Sequence, residues 1–458
     1  MRTDTQRAAK YDAKTIPASV AAIVAAVLPG MRLNFRDPFG SMDLVEKEQQ
    51  TQGLLNAAGT PTIQYPLYLD FVRLIWRMSN AGIAGPALAT VAAGIMKSWQ
   101  ARGLSLSTLQ TLALNTANTW APSPPIVVGT LPQFPTFDSI HNVMWISNYT
   151  SGSVSPIDVT SQLKLPNIAT GAASAECCYN PNSDKYYVVL QAANKVRVIN
   201  CATRAIIATP NTGTLPYYVA HNPTDNKIYI ANNTTNNVTI IDGATNGVLA
   251  TVAVGTGPSW ICYNATGNKI YVLNQASNDV TIIDGATNGV LATVNVGTLP
   301  NACYYFPTTN KVYVTNMTTN NVTIIDGTTN GVLATTAVGT SPRVAVGSPA
   351  SNKVFITNVT TSNVSVIDGT TNLVTATINV GSSPLGICHN PTNNKVYVSN
   401  SNDDTVSVIN CASNAVIATV LVGVGPVQGT WCPVTNKIYV ANYNSADVHV
   451  IDGQYNRL

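Results

Sequence analysis

An acid and a base recur together along this chain. Lys227 and Asp242, Lys269 and Asp284, Lys311 and Asp326, Lys353 and Asp368, and Lys437 and Asp452 are each separated by the same number of residues, and successive pairs step by 42 residues or twice that. A lysine facing an aspartate is the smallest unit that can move a proton. Copying it five times in a regular series argues for architecture instead, since a reaction needs one such site. The reading adopted is a cross-strand ion pair worth roughly 0.2–1 kcal/mol, with the Asp also closing its own turn. The Gly after each Asp is expected to supply a positive φ. Lys185 and Lys395 meet Asn200-Cys201 and Asn410-Cys411 instead, which predicts a changed turn in those two units.

Other reactive side chains are sparse. His221 and His389 occupy the same repeat position four units apart, and across a ring they would stand opposite each other. Two ligands do not make a metal site, so ordinary loop histidines are expected there. The eight cysteines form no C-x-x-C pair; an even number permits disulfides, but their positions in apolar strands favour small buried residues. No G-x-S-x-G, H-E-x-x-H or phosphate-loop pattern occurs. The sequence therefore predicts no catalytic, cofactor or metal site. The 458 residues carry a net charge of +3 and only 10% charged side chains, which speaks against a nucleic-acid partner.

The elements that position these residues follow from the repeat. Ile157, Ile199, Ile241, Ile283, Ile325, Ile367, Ile409 and Ile451 are each followed by Asp or Asn and are spaced by 42 residues. One unit, 258–297, reads PSWICYN, NKIYVLN, VTIIDG and GVLATVNVG: four short strands rich in Val, Ile, Thr and Tyr, joined by hairpins. Four strands in about 42 residues make a β-propeller blade. Apolar residues on both faces of the second strand fit a blade covered on both sides by its neighbours. Residues 124–458 hold eight copies of strands one to three, and the last copy stops before its fourth strand. Val128-Gly129 aligns with Val254-Gly255, so a strand at 124–129 is expected to complete the last blade and close the ring. Eight blades are expected; seven, with unit 132–171 outside the ring, is the alternative.

Tyr313-Val314-Thr315-Asn316 and its variants beginning at Tyr229, Tyr271, Phe355, Tyr397 and Tyr439, with the I-D-G and V-G elements, resemble the YVTN β-propeller repeat family over about 124–458. The resemblance implies a propeller and says less about activity, since relatives include surface-layer and exported proteins. Nine N-x-[ST] sequons are present: Asn148, Asn232, Asn233, Asn237, Asn264, Asn316, Asn321, Asn358 and Asn363. They would matter where exported proteins are glycosylated.

Residues 1–123 lack the period. They carry 11 basic and 7 acidic side chains, and their apolar spacing predicts helices near 16–29, 42–57, 66–79, 84–101 and 105–118. The apolar runs 16–31 and 81–96 are short for a membrane span, and Asp4 and Asp12 spoil a signal peptide. The fold class expected is multidomain: an α-helical assembly or docking domain followed by an all-β propeller. The function expected is non-enzymatic, a structural and binding protein of an extracellular assembly, foremost a virion surface or capsid-associated protein without a cleaved signal peptide. A surface-layer protein or adhesin, and an exported oxidoreductase- or lyase-type propeller, are the alternatives. Expected partners are other subunits through 1–123 and a glycan or protein ligand on propeller loops, with no nucleic acid and no membrane. Lys195, Arg197 and Arg204 form a basic cluster in an irregular unit and are the candidate interface.

Overall fold

The computed structural model describes residues 125–171 and 174–453. The chain divides between Pro124 and Pro125, and the helices expected in 1–123 lie outside the described residues. From Pro125 onward the chain forms eight antiparallel sheets, seven of them built in chain order from the inside outward and the eighth taking its outer strand from the start of the ring. The inner strands Pro132–Asp138, Ser174–Asn180, Pro216–Asn222, Pro258–Asn264, Pro300–Phe306, Pro342–Ser348, Pro384–Asn390 and Pro426–Cys432 touch one another in sequence, and the last touches the first. The fold is an eight-bladed propeller; unit 132–171 is its blade 1, so the seven-blade alternative does not hold.

Closure works as the register suggested. Ile126–Val127 pairs antiparallel with Asp447–Asp452, matching Ile126 to Val448 and Val127 to Asp447. Val128 N–H then donates to Ala446 O at 3.0 Å. Its side chain is buried among Met144 and Ile146 of blade 1 and Tyr439, Val448 and Val450 of blade 8. One buried aliphatic side chain thus ties the two ends of the ring together, worth about 1.5–3 kcal/mol before entropy.

The same packing repeats at every junction. Tyr229, Ala231, Val238 and Ile240 of blade 3 meet Ile261, Ile270, Val272 and Ile283 of blade 4. The alternate residues Ile228 and Ile230 face blade 2 instead. A period of two on a strand buried from both sides favours apolar or aromatic residues at successive positions, which is why Ile270, Tyr271, Val272 and Leu273 follow one another between Lys269 and Asn274.

The turns differ from the sequence expectation in two ways. The Gly after each Asp is not a positive-φ residue; that conformation falls on Asn246, Asn288, Asn330 and Asn372 in the same turns. Gly243 is needed for room, since a Cβ there would sit 2.2 Å from Asn226 Oδ1. The Cys-for-Gly units do not change the turn's backbone either. Cys201 N–H reaches Asp184 O and Cys411 N–H reaches Asn394 O at 3.1 Å, the bond Gly243 makes to Asn226 O at 2.8 Å. Beside Cys411 the inner-strand asparagine has become Ser348, which frees the space.

The terminal Asn of the YVTN element also acquires a physical reason. Asn232 is fully buried, and its Nδ2 donates to Asn237 Oδ1 at 2.8 Å and Thr239 Oγ1 at 2.9 Å, locking the hairpin. The Gly at the end of the preceding unit, here after Thr212 where most units have Val, packs on this asparagine: a Cβ on Gly213 would lie 2.8 Å from Asn232 Cβ. Asn148, Asn232, Asn264, Asn316 and Asn358 are all 0% exposed. Those five sequons are closed to a glycan in the folded ring.

Candidate functional site

The register places Lys227 opposite Asp242, Lys269 opposite Asp284, Lys311 opposite Asp326, Lys353 opposite Asp368 and Lys437 opposite Asp452. The ammonium groups go elsewhere. Lys227 Nζ donates across the junction to Gly285 O at 2.7 Å, Ala286 O at 2.8 Å and Asn288 Oδ1 at 3.0 Å. Lys185 holds Gly243, Ala244 and Asn246 in the same way, Lys269 holds Gly327, Thr328 and Asn330, Lys311 holds Gly369, Thr370 and Asn372, and Lys353 holds Cys411, Ala412 and Asn414. Each lysine therefore clamps the outer turn of the next blade. Tyr229 adds its hydroxyl to the same carbonyl, Gly285 O, at 3.2 Å. Among the described residues Lys437 has no such bond.

The aspartates cap their own turns. Asp242 Oδ1 accepts from Ala244 N at 2.8 Å and Thr245 N at 2.7 Å. The Thr245 amide is the main cause that holds this carboxyl below the usual range, and the assisting charge is Lys185 of the preceding blade. Asp284 stands likewise with Thr287 and Lys227, Asp326 with Thr329 and Lys269, and Asp368 with Thr371 and Lys311. Depressed folded-state values mean that this stabilisation is present above the ordinary aspartate range and lost as pH falls through it.

His221 and His389 lie on inner strands, each with an Nε2 shut off from water and without a hydrogen-bond partner. Burial lowers His221 to about 4, partly opposed by Asn226, and lowers His389 in the same direction. The folded ring therefore favours neutral imidazole. Against an ordinary value near 6.5, the contribution is complete above that pH and is lost between about 6.5 and 4. Thermal unfolding followed from pH 7.5 to 4.5 is expected to show a falling midpoint, with His221 supplying on the order of 1–2 kcal/mol after discounting its partial exposure. His221→Gln should flatten that slope; an unchanged slope would remove His221 as its source.

The basic trio is dispersed. Arg197 is half-buried and spends its guanidinium inside the chain, Nε on Thr170 O at 2.8 Å and Nη1 on Thr209 Oγ1 at 2.6 Å. Lys195 is half-buried in a bridge to Asn211, and Arg204 is exposed near Asp158 of blade 1, whose carboxyl is lowered chiefly by the Ser161 amide and least by Arg204. All eight cysteines are free, six of them buried, and none is tied in a disulfide.

Sequence reasoning missed two features. Glu176, on the inner strand of blade 2, is buried, and its carboxyl is pushed well above the ordinary range by loss of water. The phenol of Tyr218 in blade 3, stacked on Trp260 at 4.3 Å, is pushed well up by burial first and by Glu176 second. The second feature is Asp138, His141 and Asp184, whose ligand atoms lie within 4.8 Å of one another. Both were visible as departures from the repeat. At the neighbouring junctions amides stand where those aspartates are: Asn180 Nδ2 donates to Asn226 Oδ1 at 2.8 Å, Asn222 to Asn268 at 2.9 Å, Asn264 to Asn310 at 3.1 Å and Asn390 to Asn436 at 2.9 Å.

No family model and no curated protein matches this chain. Among solved structures it is similar to Kuenenia stuttgartiensis hydrazine synthase, with a TM-score of 0.53 and 16% identity, over 72% of this chain and 98% of that one. At that identity the likeness carries the fold alone, and the fold it supports is the propeller.

Proposed function

We propose that this protein is a non-enzymatic structural and binding component of an extracellular assembly, a virion surface or capsid-associated protein of YVTN-repeat type, with 1–123 docking on other subunits and the propeller displayed. The observation that carries this reading is the lysine clamp, repeated with the same three acceptors at five successive junctions. Such repetition serves a rigid ring and no single reaction. Blades 3 to 5 add identical exposed pairs, Val248-Leu249, Val290-Leu291 and Val332-Leu333, each residue 46–49% exposed, a repeated outer surface suited to neighbours in an array. A glycan or protein ligand on the propeller loops is the displayed function. A second reading, an exported propeller enzyme, draws on Glu176, since a buried carboxyl of raised proton affinity is the form a general acid takes.

The native source decides between them. Density-gradient sedimentation with electron micrographs of the fractions is expected to place the chain in particles or a lattice. Recovery of the full chain only as free monomer would overturn the assembly reading.

A further inference from the structure

We propose that Asp138, His141 and Asp184 form a binding site for one divalent transition-metal ion of the zinc class, seated between blades 1 and 2. His141 Nδ1 lies 3.0 Å from Asp138 Oδ2 and 3.4 Å from Asp184 Oδ1. Ligand atoms about 2.0–2.1 Å from a shared metal ion are separated from one another by roughly 3–3.4 Å, the edge of its coordination polyhedron. The two spacings from His141 fall on that edge, and the two carboxylates stand within 4.8 Å of each other. Two carboxylates and one imidazole suit zinc and its first-row neighbours, whereas calcium takes six to eight oxygens.

The repeat shows why the site is unusual. At four other junctions the positions of Asp138 and Asp184 hold two asparagines joined by a neutral hydrogen bond. Here both amides are carboxylates, and Asp138 is fully buried. Blade 1 also carries Val143 where the clamp lysine stands in other blades, so no lysine arises from that strand to balance them. Asp138 is met by the amides of Ile140 and His141, by His141 Nδ1 and by Trp145 Nε1, whereas Asp184 Oδ1 is shut off from water without a hydrogen-bond partner among the described residues. A cation between the two carboxylates would serve both.

A second, independent observation points the same way. Cys201 replaces the turn glycine, and its free thiol, 2% exposed, lies beside Asp138 and Asp184. At the equivalent place in blade 3, a Cβ on Gly243 would lie 2.2 Å from Asn226 Oδ1 and 2.6 Å from Asn180 Nδ2. The Cys201 side chain is therefore aimed between the counterparts of those residues, Asp184 and Asp138. The Tyr179 hydroxyl, also shut off from water, is likewise without a partner. His141 and Asp184 keep 28% and 27% of their side chains exposed, an entry path for the ion and room for a bound water.

Because Asp138 and His141 belong to blade 1 and Asp184 to blade 2, the ion would join blades, as the amide pair does elsewhere. The test uses the full chain, treated with a chelator and titrated with Zn²⁺ by calorimetry and with Co²⁺ by visible absorption. One equivalent is expected to bind, with a rise of several degrees in the melting temperature that chelator reverses. The double variant Asp138→Asn/Asp184→Asn restores the amide pair of the other junctions. It is expected to melt within a few degrees of the chelated wild type and to lose more than about 100-fold in affinity, beyond the loss from altering an outer-shell partner. His141→Ser, which installs the residue at the equivalent position 183, should lose at least about 10-fold and the Co²⁺ bands. Failure of the wild type to bind either ion, or undiminished binding by the double variant and by His141→Ser, overturns the site.

Discussion

Lys269→Ala should destabilise the ring by about 2–3 kcal/mol, lowering the melting temperature by roughly 4–8 °C. The lysine makes three charge-assisted bonds into blade 5, to Gly327 O and Thr328 O at 2.9 Å and Asn330 Oδ1 at 2.8 Å. Removing it leaves those acceptors short of a donor and withdraws the positive charge that helps hold Asp326 ionised. Two controls isolate the cause. Lys437→Ala, at a junction without the clamp, should fall within about 0.5 kcal/mol. Asp284→Asn should also be mild, because Asn caps the same turn elsewhere: Asn200 Oδ1 accepts from Thr203 N at 2.8 Å and Asn410 Oδ1 from Ala412 N at 2.9 Å. If Asp284→Asn costs as much as Lys269→Ala, the facing ion pair and not the inter-blade clamp is the stabilising contact.

Val128→Asp should cost more, about 3–5 kcal/mol. It places an unpaired carboxylate at a position 8% exposed, among Met144, Tyr439 and Val448. The first strand would detach, leaving Asp447–Asp452 as a free edge able to pair with another chain. Differential scanning calorimetry should show the fall, and light scattering on warming should show association. Val127→Asp is the matched control, since Val127 is 66% exposed and its carboxylate would reach water. Equal stability of the two variants would mean that the terminal strand does not hold the ring shut.

Much of the fold was legible because hairpin pairing is local. A strand of alternating faces, a turn of fixed length and a 42-residue step set the blades, and they set the register that puts Lys227 opposite Asp242. Even closure could be read, since Val128-Gly129 carries the same V-G that packs on the next blade's asparagine; Gly129 N donates to Asn148 Oδ1 at 3.1 Å. The candidate sites were not legible in that way. Lys227 and its acceptors are about 60 residues apart, and a facing partner in sequence register gave no hint that a flexible side chain would cross to the next blade.

The sequence by itself determined the elements, their number and their pairing, because backbone hydrogen bonding within a blade depends only on near neighbours and on an apolar pattern repeated in every unit. Tertiary structure alone decided what the polar side chains are for. The angle and spacing between blades bring Lys269 onto the turn of blade 5, force Gly243 to be glycine through a 2.2 Å approach, and gather Asp138, His141 and Asp184 from two blades. Those distances belong to the packing of finished sheets, and no periodicity along the chain encodes them.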